Sequence, residues 1–337
     1  MNLRNLDEIL KEEPKYRRNQ VKRALFQDLI EDWSEATNLP LTFREKLNKI
    51  CPLLIRGKFF VSEDKSTLKV IIILKDNLKI ESVLMRHIDG RNTVCVSSQV
   101  GCSLSCSFCA TGKLGFKRNL EVFEITEQVL FFARYLKNQR KRVTNVVFMG
   151  MGEPFLNYEN VMEAIRFLND KEGLNIGARH ISISTVGIVE GIEKLAREGL
   201  EVNLAISLHS ADDKLRSKMM PINREYPVGN ILAAVDNYIK KTRRKVMFEY
   251  IMIRGLNDSD EQAKKLAKLI KRPLSFVNLI SYNPTGVFKP SSSERIKRFR
   301  QILEKEGIAV TQRYKFGGGI RAACGQLVHE KVELINN

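Results

Sequence analysis

The sequence predicts an α/β protein in which a parallel sheet is covered by helices, and three observations predict it. From about residue 92, apolar strand-like runs alternate with amphipathic helical stretches, the signature of repeated βα units. Polar residues recur just past the ends of several of those runs, where a barrel gathers its chemistry. No low-complexity or proline-rich segment interrupts the alternation. Six or so units at this spacing suit a partial or a complete barrel.

The elements follow in order. Residues 1 to about 50 place apolar side chains at helical spacing, as with Val21, Leu25, Leu29 and Ile30 on one stripe. Two short helices, then Pro40, then a third helix over Thr42–Ile50 make a compact basic module. The run Leu68–Leu74, the turn Lys75-Asp76-Asn77 and the run Leu78–Leu84 read as a β-hairpin. The βα units then pair Val146–Gly150 with Val161–Asn169, His180–Thr185 with Val189–Glu198, and Val202–Leu208 with Val228–Lys241. Val246–Ile253 precedes Asp260–Lys271, Phe276–Ser281 precedes Ser293–Glu306, and Ala309–Tyr314 closes the series. This divides the chain into a helical accessory domain (1–65), a hairpin and linker (66–91) and a barrel (92–337).

Composition narrows the classes. At 337 residues, with 43% hydrophobic and 28% charged residues, the chain is of ordinary globular type. Runs such as Val70–Leu74 are too short to cross a bilayer, and the start Met1-Asn2-Leu3-Arg4 lacks a secretory core, so a cytoplasmic location without membrane attachment is expected. A formal net charge of +17, from 56 Lys+Arg against 39 Asp+Glu, is most economically explained by an anionic partner, nucleic acid or an acidic membrane surface, with a merely solvated basic surface as the alternative. The basic residues cluster at Lys15–Arg18, Arg140–Arg142, Lys240–Lys245 and Arg295–Arg300.

Six cysteines, at 51, 95, 102, 106, 109 and 324, suggest metal or redox chemistry more than structural disulfides. Cys102, Cys106 and Cys109 form C-x3-C-x2-C, which can ligate three irons of a [4Fe–4S] cluster and leave the fourth open. A zinc site wants four ligands; Cys95 could supply the fourth, but no second C-x2-C pair is present. Cys51 reads as a small buried hydrophobe. Further along, Gly152-Glu153-Pro154, Ser184, Ser207-Leu208-His209 and Asn283 follow successive strands. Any one of them alone reads as a cap, a turn or a satisfied core residue.

The cysteine triplet, with Phe108 before its last member, resembles the radical S-adenosylmethionine (SAM) superfamily. Ordered segments then resemble one subfamily: CVSSQVGC (Cys95–Cys102), GFKRNL (Gly115–Leu120), MGMGEP (Met149–Pro154), GLNIGARHISIST (Gly173–Thr185), AISLHS (Ala205–Ser210), MPIN (Met220–Asn223) and AACGQL (Ala322–Leu327). That subfamily comprises radical-SAM methyltransferases acting on an adenine ring carbon of 23S rRNA, with tRNA activity in many members. The likeness spans nearly the whole chain and implies a partial (β/α)6 TIM-like barrel. Two SAM molecules are implied per turnover, with the cluster on Cys102, Cys106 and Cys109. Gly152, Glu153, Ser184, Ser207, Leu208, His209 and Asn283 are implied to hold SAM. Cys324 is implied as methyl carrier, Cys95 as the thiol that resolves the covalent intermediate, and Glu81 as acceptor of the ring proton. Without the resemblance, Glu81 reads as a solvated strand residue.

The resemblance also implies an external flavodoxin- or ferredoxin-like electron donor, and a monomer is expected. Methylation at C2 is favoured over C8 by GFKRNL and GEP; a radical-SAM enzyme acting on a non-RNA substrate is the other alternative. One departure stands out: where the pattern reads G-x-D-I-D-A-A-C, this chain has Gly319 and Arg321 in place of the two Asp. Arg321 is expected to contact RNA phosphate.

Overall fold

The computed structural model describes residues 3–313 and 317–327, so Met1, Asn2 and Tyr314 of the expected elements lie outside it. The helical module comprises α1 (Leu3–Lys11), α2 (Lys15–Phe26) and α3 (Leu41–Ile50). Helix α2 ends before Leu29, whose φ of 51° breaks the helix and leaves only Val21 and Leu25 of the expected stripe on it. Trp33 anchors this module, fully buried, its indole N–H donating to the Cys51 carbonyl at 2.7 Å. Cys51 itself is buried in the same small core.

Three antiparallel strands follow: β1 (Gly57–Val61), β2 (Thr67–Ile73) and β3 (Lys79–Arg86). The last two are the expected hairpin. The first was not legible, because its GKFFV pattern is short and exposed on an edge. β3 pairs antiparallel with β4 (Asn92–Val96), so the pattern change near residue 90 is no break in the sheet. A small second sheet holds β5 (Gln99–Gly101) and β6 (Phe116–Asn119), with α4 (Ala110–Lys113) between them.

Next come α5 (Val122–Lys137), β7 (Asn145–Phe148), α6 (Tyr158–Asn169), β8 (Ile181–Thr185), α7 (Val189–Leu195) and β9 (Asn203–Ser207). The chain continues through α8 (Asp213–Met219), α9 (Val228–Thr242), β10 (Val246–Met252), α10 (Asp260–Ile270), β11 (Ser275–Ser281), α11 (Ser293–Lys305) and β12 (Val310–Gln312). The main sheet has ten strands in the order β1-β2-β3-β4-β7-β8-β9-β10-β11-β12. From β4 to β12 every neighbouring pair is parallel, which gives an open barrel with the hairpin continuing one edge. Every expected βα unit is present.

Helix α5 escaped the sequence reading. It buries polar Glu124, Thr126, Gln128 and Arg134 as well as Ile125, Val129 and Phe132, so no single apolar stripe marks it. It clamps the module to the barrel: Leu130 enters the module's core and Arg134 donates to the Leu53 carbonyl at 2.9 Å. Among the described residues, no helix is long and apolar enough to cross a membrane.

Candidate active site

The cysteine triplet occupies the loop between β5 and α4. Gly101 enters it at φ 76°, where a Cβ would collide with the Gly115 carbonyl, so only glycine fits. Cys102 N–H donates to that same carbonyl at 3.0 Å, and Cys109 N–H to the Cys106 carbonyl at 3.0 Å. Ser107 ties the loop to the end of α8 through the Met219 carbonyl. All three thiols are half-buried. Burial pushes Cys102 up to about 11 and Cys106 higher still, with the neighbouring thiols adding to the shift in both. The bare Cys102 and Cys106 thiols stay protonated; a bound metal displaces the proton.

The surroundings fit an anionic group. Arg216 is fully buried beside Cys106, and its guanidinium donates to oxygens of Leu208, Asn223, Tyr226, Val186 and Ser207, all neutral acceptors. Burial lowers it only to about 10, so it remains cationic and favours a negatively charged neighbour. Among the described residues, no three His, Cys, Asp or Glu side chains close on the position of a single metal ion. Ligands to three different irons need not share one coordination sphere.

A solvent-open cleft of about 710 Å³ lies at the C-terminal ends of the parallel strands. That size suits a small cofactor. Cys109, Gly152, Glu153, Ser184, Ser207 and His209 line it together, drawn from four separate chain segments. Gly152 has φ 97°, and a Cβ there would sit 2.5 Å from that of Gln99. The Glu153 oxygens accept from Phe155 N–H at 3.0 Å and Val186 N–H at 2.9 Å, so this carboxyl braces the loops after β7 and β8. Burial raises it to about 7, partly offset by those N–H groups.

His209 sits at φ 60°, edge-on to Phe108 with ring centroids 5.0 Å apart. Its Nδ1 accepts from Ile251 N–H at 3.2 Å, which puts the ring proton on Nε2. Burial, aided by Arg216, lowers its pKa to about 3, so the imidazole is neutral. Leu208 differs from its neighbours: it is fully buried in the main core and does not line the cleft. Strand alternation turns its side chain inward while Ser207 faces the opening.

Two residues at the floor were missed. Glu249, on β10, accepts from Ser184 Oγ at 2.6 Å and Ser207 Oγ at 3.4 Å. Its other oxygen lies 3.4 Å from Arg313 Nη1, just past β12. A lone acid inside the apolar run Val246–Met252, and an Arg directly after the last strand, were the available signals.

Beside the cleft, a second cavity of about 530 Å³ brings Cys95, Cys324, Asn283 and Arg313 together. Cys324 lines both cavities. Its loop is held against α4: Ala110 N–H donates to the Gly325 carbonyl at 2.7 Å, and Thr111 Oγ1 to the Leu327 carbonyl at 2.8 Å. Asn283 Nδ2 donates to the Cys324 carbonyl at 3.3 Å, so Asn283 faces the thiol loop. Burial pushes Cys95 up to about 12, with Cys324 adding; burial also raises Cys324, opposed by the Arg313 cation.

Glu81 is fully buried on β3, with Lys69 Nζ 3.4 Å from Oε1, so the solvated-strand alternative does not hold. It shares a β3 face with Val83 and Met85, which line the thiol cavity, although its own side chain does not. Arg321 is exposed at φ 49°, and a side chain at Gly319 would meet nothing within 4 Å, so the loop has room for the Asp it lacks.

Comparisons with known proteins agree on the lineage. The radical SAM superfamily model matches residues 96–267. The probable dual-specificity RNA methyltransferase RlmN of Dictyoglomus turgidum is 44% identical over 317 residues, 94% of this chain and 91% of that protein. Its counterpart in Chloroflexus aurantiacus is 45% identical over 342 residues, 97% and 91% of the two chains. The ribosomal RNA large subunit methyltransferase N of Nitrosopumilus maritimus is 42% identical over 93% of this chain and 92% of its own. The crystal structure of a radical SAM methyltransferase from Sphaerobacter thermophilus superposes with a TM-score of 0.91 at 45% identity, over 97% of each chain. With a barrel, a cysteine loop and relatives that match over nine-tenths or more of both chains, the chain belongs to the radical SAM superfamily and, within it, to the RlmN family.

Proposed function

We propose that this protein methylates C2 of an adenine in 23S rRNA, and in tRNA, with Cys324 carrying the methyl group. The coarser statement follows from the family: it is a SAM-dependent RNA methyltransferase. Family membership implies a [4Fe–4S] cluster and SAM. Cys102, Cys106 and Cys109 would hold the cluster, which when bound supplies the electron that cleaves SAM to a 5′-deoxyadenosyl radical. An external flavodoxin- or ferredoxin-like donor completes the reading.

The observation that carries it is the shared cleft: Cys324 and Cys109 line one opening although 215 residues separate them in the chain (324 − 109). An adenine C2–H is not acidic and its carbon is electrophilic, so direct displacement on SAM has no nucleophile to use. A thiolate is such a nucleophile. In this reading the Cys324 sulfur takes a methyl group from a first SAM by displacement, with Arg313 beside it as counter-charge. Glu153, Gly152, Ser184, Ser207 and His209 seat SAM; Asn283 orients the thiol loop through the Cys324 carbonyl. After hydrogen abstraction from the S-methyl group, its carbon joins the base. Glu81 accepts the ring proton, the unpaired electron left on the adduct would return to the enzyme's one-electron carrier, and Cys95 attacks the Cys324 sulfur while the departing carbon takes up a proton, releasing methylated RNA and leaving a disulfide. The basic surface supplies phosphate contacts.

Anaerobic incubation with reductant, SAM and RNA, followed by nucleoside mass spectrometry, tests it. 2-Methyladenosine formed only when Cys324 is present is the expected result. 8-Methyladenosine, or 5′-deoxyadenosine released without any need for RNA, would displace it.

A further inference from the structure

Lys69 and Glu81 form a charged pair inside the antiparallel edge of the sheet. β2 and β3 pair with Lys69 opposite Val83 and Ile71 opposite Glu81, so the two charges are diagonal neighbours on one face. Val83 and Met85 of that face line the thiol cavity. Lys69 Nζ lies 3.4 Å from Glu81 Oε1, and the side chains are 2% and 0% exposed. The ammonium also rests over the Phe60 ring, 5.4 Å from its centroid.

A fully buried lysine is rare unless paired. Desolvating two ions is seldom offset by their attraction, so a well-packed apolar pair would hold these strands at least as well. Stability therefore does not account for the pair, and its position suggests chemistry.

We propose that Lys69 is the positioning residue for Glu81, holding its carboxylate charged and oriented on the cavity side of the sheet. This rests on the reading of Glu81 as the proton acceptor. In that step the ring C–H bond breaks, the proton passes to a Glu81 oxygen, and the bonding electron pair stays in the base, so no oxidant enters. Removing the cation takes away a charge that favours the ionised carboxylate, and a buried acid with less support takes up a proton more readily and is a poorer base.

The test uses the cluster-loaded enzyme with SAM and RNA, comparing Lys69→Met, Glu81→Gln, the double variant and Lys69→Arg. Two readouts are followed: methyl loading of Cys324, which does not use Glu81, and build-up of covalent protein–RNA species. Lys69→Met is expected to load Cys324 within about threefold of wild type while product release falls at least about tenfold. Covalent species accumulate, the double variant is no slower than Glu81→Gln, and Lys69→Arg recovers part of the rate. Release at the wild-type rate in Lys69→Met, or equal slowing of both readouts, would overturn the proposal. Should Lys69→Met fail to fold, Lys69→Arg decides: slower release than loading supports it, equal slowing refutes it. Glu81→Gln turning over normally would sink the Glu81 reading along with this one. Glu81→Gln stalling while Lys69→Met does not would sink this one alone.

Discussion

Arg313 Nη1 lies 3.4 Å from Glu249 Oε1, joining the end of the last strand to the middle of the sheet beneath the cleft. The same nitrogen lies 3.4 Å from Met149 Sδ, and the Arg313 side chain lines both cavities. Its guanidinium thus stands between the serines bonded to Glu249 and the two thiols. Burial of both partners keeps their interaction largely unscreened by salt.

Arg313→Met is expected to slow methyl loading of Cys324 by about tenfold or more, the size of losing one buried charge-assisted contact. Lysine at this position should restore little, since a point charge does not span both partners. Peptide mass spectrometry of the Cys324 fragment over time reads the effect. Loading at the wild-type rate would remove Arg313 from the chemistry.

The two thiols of the second cavity should fail in different ways. Cys324→Ala is expected to abolish both methyl loading and product. Cys95→Ala is expected to load methyl normally and then stall with RNA attached, because attack at the Cys324 sulfur has lost its thiol. Denaturing gels of the reaction distinguish a retarded protein–RNA band from free protein.

His209 makes a prediction about acid. Its folded pKa is lowered from 6.5 to about 3, first by burial and then by Arg216. Between those values the unfolded chain binds the proton and the folded one does not. The stability it contributes is full above 6.5 and is lost as pH falls toward 3. Glu153 runs the other way: raised from 4.5 to about 7, its contribution is full below 4.5 and is lost as pH rises through 7. Denaturant unfolding of wild type and His209→Gln, stepped downward from pH 6.5, should show a shallower loss in the variant. Parallel curves would contradict the neutral, buried imidazole.

Arg321 bears on RNA. It is exposed on the loop that carries Cys324, three residues away (324 − 321). Arg321→Asp is expected to weaken RNA binding and reduce the logarithmic salt slope by about one. Filter binding across a salt series measures both; unchanged affinity and slope would assign the residue elsewhere.

How far the sequence could be read depended on where its signals were local. Each βα unit from Val146 onward was legible because one face of its helix is apolar and its strand is an apolar run. α5 was not, since a helix buried on nearly every side shows no stripe. The cysteine triplet is written in eight consecutive residues, whereas the approach of Cys324 to Cys109 exists only after β12 returns the chain over the cleft. Glu249, Arg313 and Lys69 are single charges at the edge of or inside apolar runs. Such residues are easily passed over as strand surface; only burial shows that Glu249 and Lys69 face inward, and only the cavity lining shows it of Arg313. Leu208 runs the opposite way: its side chain points into the core, which leaves its backbone as the part that can face the cleft.

The central claim is that carbon reaches the RNA base by way of one sulfur atom. The most direct measurement loads the enzyme with methyl-deuterated SAM, confirms the label on Cys324, removes free SAM, and then adds unlabelled SAM, reductant and RNA under anaerobic conditions. The first-turnover methyladenosine should carry two deuteriums from the protein-bound methyl, one having been abstracted. A product with three deuteriums or none would show that the methyl group never passed through Cys324 in this way.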